Sequence, residues 1–247
     1  MSPETKNEGF VGVDGCRGGW TTSAAEEPVV VFRTFDEILK KHKKKVILVD
    51  LPVGLPETTR DLDRSARKKF DVQPSSIFSV PCRAAIYADS YQEACEVNER
   101  KTGKKISKQI WNIAPKIREV DRCLRVRPEL CRYVFESHPE VCFSLIKGGR
   151  LAYSKKKPEG IEERLKLLEK LDEGARHRFN QALADFPRGV IARDDVVDAI
   201  ILGLVAANFR LFQAGITNDG CGLPIRLAVP SLQPGEKSAK VSAPTLG

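Results

Sequence analysis

Methionine, tryptophan and histidine are scarce in this chain, at one, two and three residues among 247, and aromatic residues make up only 7%. With so thin an aromatic content, no aromatic-rich stacking platform of the kind many single-stranded nucleic-acid binders present is evident along the sequence. Seven cysteines, at positions 16, 82, 95, 123, 131, 142 and 221, form no CxxC pair. Their odd number and scattered spacing argue against a disulfide framework and a zinc site, and suit a reducing compartment. Long apolar runs are missing too. The longest, Val196 to Phe209, is interrupted by Asp198 and is too short to cross a bilayer. Met1 to Glu8 is polar and lacks the apolar core of a secretory signal. These absences lead to the expectation of a cytoplasmic protein with no membrane partner.

What is present is an ordinary globular composition, 41% hydrophobic and 30% charged, with a net charge of +8. The excess is local: residues 101 to 132 carry ten Lys/Arg against three Asp/Glu. A basic segment of this kind suits a phosphate-rich partner, or is simply a solvated helix face.

The pattern along the chain predicts an α/β domain over 9–215, preceded by a flexible N-terminus (1–8) and followed by an irregular tail (216–247). FVGVD at 10–14 reads as a buried strand ending in a carboxylate, and the glycine-rich turn after it suits a hairpin to a second strand at 20–24. A third strand (29–35), a short helix from Glu37 and a fourth strand, VILVD at 46–50, follow. Residues 57–132 read as a mostly helical insertion, with Pro115 marking a break, and YVFE at 133–136 as a fifth strand. Helices over 160–171, 173–186 and 194–212 complete the pattern. A meander followed by helical crossovers predicts a mixed five-stranded sheet flanked by helices.

The carboxylates carry the chemistry. Asp14 and Asp50 end two apolar strands, Glu136 ends a third, and Asp194, Asp195 and Asp198 open a long apolar helix. At three and four residues apart, either pair on that helix shares a face. A carboxylate at a buried strand end is costly unless it is paired, hydrogen-bonded or metal-bound. Several meeting in one crevice need a cation, and hard Mg²⁺ or Mn²⁺ ions accept such oxygens and promote phosphodiester displacement. Each has a plainer role as well: Asp14 and Asp50 as loop caps, Asp194 as a helix cap, Glu136 as the partner of an arginine. His138, before a proline, reads as structural rather than as a general base, and Cys16 has only Arg17 beside it to lower its pKa.

These residues fall into motifs that carry a resemblance. GVDGCRGGW (12–20), VDLPVGLP (49–56), RDLDRSAR (60–67), SSIFSVPCR (75–83), KIREVD (116–121), ESHPEVCF (136–143) and RDDVVDA (193–199) together resemble the DUF429 family of predicted RNase H-like nucleases, over roughly 10 to 210. The resemblance implies an RNase H-like fold with Asp14, Asp50, Glu136 and Asp195 or Asp198 at the site. Metal is expected on Asp14, Asp50, Asp195 and Asp198. Arg67, Arg83, Gln109 and Lys116 are candidates to hold substrate; the arginines either grip phosphate through their planar forks or pair with Asp63, Glu119 or Asp121 to fasten the insertion. The expected partner is nucleic acid, DNA or RNA, and a homo-oligomer is compatible with the sequence. Two other classes stand beside the nuclease: a non-catalytic nucleic-acid-binding or scaffold protein, and an ATP-handling enzyme of the actin and sugar-kinase kind, using Gly15, Gly18 and Gly19 to cradle phosphate.

Overall fold

The computed structural model describes residues 9–25, 27–73 and 76–231; the expected N-terminal segment 1–8 and the end of the expected tail, 232–247, lie outside these. The chain opens with an antiparallel meander, β1 (Phe10–Cys16), β2 (Gly19–Ala24) and β3 (Val30–Phe32), and a short helix α1 (Phe35–Lys41) crosses to β4 (Val46–Val49). Four α-helices, α2 (Asp61–Lys69), α3 (Arg83–Ile86), α4 (Tyr91–Thr102) and α5 (Lys108–Val126), and a 3-10 turn at Pro128–Arg132 follow among the described residues before β5 (Val134–Ser137). After β5 come α6 (Pro139–Lys147), α7 (Pro158–Leu171), α8 (Ala175–Asp185) and α9 (Arg193–Val205), then β6 (Phe209–Phe212) and β7 (Leu227–Pro230).

Among the described residues the sheet is mixed and has seven strands, in the order β3-β2-β1-β4-β5-β7-β6, not the five expected. β1, β4, β5 and β7 run parallel to their neighbours in that series, while β2, β3 and β6 pair antiparallel. Both extra strands come from residues 209–230, where the sequence suggested the end of the last helix and then an irregular stretch. The apolar run from Val196 onward does not distinguish buried helix from strand by periodicity, and the helix in fact stops at Val205. β7 is only four residues, closed by Pro230, and all four are buried. Pro115, expected to break a helix, lies within a continuous α5 on its exposed side, where the carbonyl it leaves without a donor can be hydrated.

Helices cover both faces of the sheet. α9 lies with α7 and α8 on one face, packed on Leu48 and Phe135, whereas α1 and α5 cover Val11, Val13, Ile47 and Val49 on the other. Ten of the thirteen residues of α9 are buried, which explains why it is apolar all round. Its contact with β1 needs two glycines. A Cβ at Gly12 would overlap the Ala199 carbonyl and the Gly203 amide, and one at Gly203 would crowd the Ser23 carbonyl. Backbone therefore meets backbone, and the N-terminal half of α9 is drawn down beside the end of β1. Among the described residues no helix is long and apolar enough to cross a membrane. All seven cysteines are free.

Candidate metal centre

Sheet register sets the site. Val13 pairs with Val49 across the parallel β1–β4 ladder, and the Asp50 amide donates to the Val13 carbonyl at 3.0 Å. The next residue on each strand is an aspartate, so Asp14 and Asp50 leave the same side of the sheet. That side is the one α9 covers, and Asp198 completes the group: one carboxylate oxygen from each of Asp14, Asp50 and Asp198 lies within 4.8 Å of the others. Asp198 is wholly buried and Asp14 is 9% exposed.

Glu136 is placed differently. It is the register partner of Val49, not of Asp50, so its side chain leaves the opposite face. There Arg60 grips it with two N–H donors at 2.8 Å, the Val53 amide donates to it at 2.9 Å, and Arg60 also binds Asp63. A buried carboxylate so satisfied is a structural anchor. His138 links the two sides, with Nδ1 3.4 Å from Asp50 Oδ1 and Nε2 3.7 Å from Glu136 Oε1. Burial alone would push its imidazole down, but the Asp50 and Glu136 carboxylates outweigh that and hold it above its ordinary value. The histidine thus orients Asp50.

Three close carboxylates are electrostatically frustrated. Burial, then repulsion by Asp50 and Asp198, raises Asp14 well above the usual carboxylate range. Asp198 is pushed up to about 7, mainly by burial, with Lys155 pulling the other way and Asp50 adding to the rise. The Lys155 ammonium donates to Asp198 Oδ2; despite its burial, the field of Asp198, Asp50 and Asp14 keeps it firmly charged. The other oxygen, Asp198 Oδ1, is buried with no hydrogen-bond partner among the described residues. Hard oxygen donors converging beside a buried, unpartnered carboxylate oxygen fit a divalent cation such as Mg²⁺ or Mn²⁺.

The position of Lys155 is built by its loop. Glu163 on α7 accepts the Ala152 and Tyr153 amides at 3.0 and 3.1 Å and the Lys147 ammonium at 2.7 Å. Ser154 packs against Gly160, where a Cβ would overlap its carbonyl. Nothing in the lysine run 155–157 distinguishes it by sequence from a solvated loop, so Lys155 was not among the expected site residues.

The remaining expected residues fall in several places. Asp195 accepts the Ala192 amide at 2.8 Å and caps α9, outside the three-carboxylate group; its own pKa is raised by burial. Asp194 binds Lys156. Arg83 is held by Asp121 and Asp219, and Arg67 donates to the Ile77 carbonyl at 2.7 Å and Ser79 at 3.0 Å, so both fasten the segment after β4. Lys116 lies near the carboxylates, but its ammonium donates to the Gly19 carbonyl and sits 4.6 Å from the Trp20 ring centroid. Gln109 is exposed two helical turns earlier on α5, roughly 10 Å along the axis. The glycine-rich turn is the β1–β2 hairpin, tied down by the Gly18 amide donating to the Val190 carbonyl at 2.9 Å.

Beside the carboxylates a cleft of about 510 Å³ opens between that hairpin, the 155–158 loop and the segment from α8 to α9. Arg17, Lys155, Lys156, Lys157, Arg188 and Arg193 line it, with Asp194 the one acidic residue among the described residues; the half-buried Leu183 and Phe186 supply apolar surface, and the buried Ile161 and Ile191 also belong to the lining.

A family model described as "Protein of unknown function (DUF429)" matches residues 12–218, most of the chain, and the protein belongs to that family. No curated protein and no solved structure matches the chain.

Proposed function

We propose that this DUF429 protein is a metal-dependent nuclease of RNase H-like fold that hydrolyses phosphodiester bonds in DNA or RNA. The observation that carries the reading is the convergence of Asp14, Asp50 and Asp198 beside a buried Asp198 oxygen with no partner. These three side chains would hold Mg²⁺ or Mn²⁺. Bound there, a divalent cation supplies the Lewis acidity that activates water and neutralises a leaving oxygen. His138 fixes the orientation of Asp50, and Asp195 fixes the start of the helix that presents Asp198. Lys155 adds positive charge where a phosphate must approach three carboxylates. An antiparallel meander continued by parallel strands, with its acids at the ends of β1 and β4 and on a late helix, supports the RNase H-like assignment. Seven free cysteines support a cytoplasmic setting.

One observation favours a second reading. The Lys155 ammonium already sits on Asp198, and in a non-catalytic nucleic-acid-binding protein of the same fold it would replace the ion permanently. Calorimetric titration with Mn²⁺ separates the two. Under the nuclease reading the wild-type protein binds Mn²⁺ and Asp14→Asn and Asp198→Asn abolish binding, in parallel with cleavage of single-stranded, duplex or branched substrates. Binding seen only in Lys155→Met identifies the second reading. Cleavage that survives Asp14→Asn and Asp50→Asn overturns the assignment of the site.

A further inference from the structure

The basic segment 101–132, expected to grip phosphate, is largely engaged with its own neighbours. Lys101, Lys105, Arg125 and Arg127 pair with Glu57, Glu99, Asp121 and Asp36. Lys108, Arg118 and Arg122 lie over the rings of Tyr91, Trp111 and Tyr87. The cleft beside the carboxylates is the opposite case. Of its six cations, Lys155 and Lys156 are bound to Asp198 and Asp194, while Arg17, Lys157, Arg188 and Arg193 have no side-chain partner among the described residues. Two helix N-termini add to the positive potential, because α7 starts at Pro158 and α9 at Arg193, both on the wall of the cleft.

The floor is not charged. The half-buried Leu183 and Phe186 give it an apolar surface, with the buried Ile161 and Ile191 also in its lining, and a volume of about 510 Å³ suits a small-molecule-sized group rather than a flat docking face. The complementary ligand has a flat apolar body flanked by several negative charges. A nucleoside phosphate has that chemistry. Four free cations exceed what one monophosphate needs, and Lys155 makes the cleft continuous with Asp198, where a backbone would have to pass to be cut.

We propose that this cleft is the binding site for unpaired nucleotides of a single-stranded nucleic acid, with a base against Phe186 and the backbone phosphates on Arg17, Lys157, Arg188 and Arg193. Duplex ends are poor ligands, because their bases are stacked and cannot reach the apolar floor. The assignment deepens the nuclease reading by naming its substrate class, and rests on that reading for the direction of the strand toward Asp198; occupancy of the cleft itself requires no metal.

The test is fluorescence anisotropy in EDTA with a labelled 12-nucleotide single strand, the same sequence as a blunt duplex, and AMP as competitor. Wild type should bind the single strand at least tenfold tighter than the duplex, and AMP should compete only weakly. The double variant Arg188→Ala/Arg193→Ala should weaken affinity at least tenfold and lower the slope of log K against log salt by about 1.4, roughly 0.7 for each phosphate that no longer meets an arginine. Phe186→Leu should weaken the single strand several-fold and leave the duplex unchanged. The control Lys104→Ala/Arg122→Ala on the α4–α5 surface should change either affinity less than twofold. Equal binding of strand and duplex, AMP as strong as the strand, or weakening confined to the control variant overturns the proposal. Mn²⁺ calorimetry on the double variant distinguishes the failures: unaltered strand binding with intact Mn²⁺ binding removes the cleft and leaves the metal centre standing, whereas failure of Mn²⁺ binding in the wild type with intact strand binding removes the metal centre alone.

Discussion

The two faces of the sheet treat the same kind of residue in opposite ways. On one face Glu136 and Asp63 share Arg60, and the Val53 and Val80 amides donate to Glu136 Oε2 and Asp63 Oδ2, so every carboxylate oxygen there has a partner in fixed geometry. On the other face Asp14, Asp50 and Asp198 crowd together with a single ammonium, from Lys155, and one Asp198 oxygen has no partner among the described residues. The first arrangement is complete without a ligand. The second carries excess negative charge, which a folded protein tolerates when something else supplies the cation. Buried acidity alone therefore gives no reason to propose a ligand; unsatisfied buried acidity does.

Removing one acid from each face should have opposite consequences. Glu136→Gln breaks the bidentate grip of Arg60 and leaves a buried guanidinium short of charge, so unfolding in urea should show a loss of about 3 kcal/mol. A neutral effect would mean that the satisfied face contributes nothing to stability, and the contrast would collapse. The second expected effect is a pH dependence of the metal-free protein. Burial pushes the Asp198 carboxyl up to about 7 from its ordinary 3.8, and Asp14 is also raised, so through roughly pH 5 to 7 the native state holds protons that the unfolded chain has released. Stability should therefore fall as pH rises through that window, by about 1.4 kcal/mol per unit for each such proton. His138, raised as well, loses its contribution as pH climbs past its folded value and so adds in the same direction. Carboxylates with lowered values, such as Glu163, act in the opposite sense only below this window. Mn²⁺ should flatten the slope by replacing the proton, and urea midpoints that rise between pH 5 and 7 in EDTA would contradict the frustrated cluster. The smallest effect is the gain from Asp14→Asn: the amide can still accept the Gly15 N–H, now 2.7 Å from Asp14 Oδ1, while repulsion is relieved, so the apo protein should become more stable by about 1 kcal/mol at pH 8. Destabilisation by this variant would indicate that Asp14 is held as Glu136 is.

Much of this was legible along the chain because the signals are local. FVGVD and VILVD announce buried strands ending in acid, the glycine-rich turn announces a hairpin, and RDDVVDA opens a buried helix. The convergence of Asp14, Asp50 and Asp198 follows from strand ends and one helix face. The apolar stretch after Val205 was less legible, since a short buried strand such as β7 lacks the alternation that would separate it from a helix or loop. Arg67 and Arg83 also needed the structure, because a guanidinium that grips phosphate and one that fastens a loop look the same in sequence.

By itself the sequence determined which residues are acidic, which segments are apolar and where the chain must turn, since these depend on neighbours a few positions away. Only the tertiary structure decided that Glu136 faces away from the aspartates, that Lys155 arrives among them, and that four cations without a side-chain partner among the described residues meet at the cleft while most of those along residues 101–132 are engaged. Each of those outcomes depends on strand register or on loops distant in sequence. A single step of register sends a side chain to the other side of a sheet, and no local pattern records which step was taken.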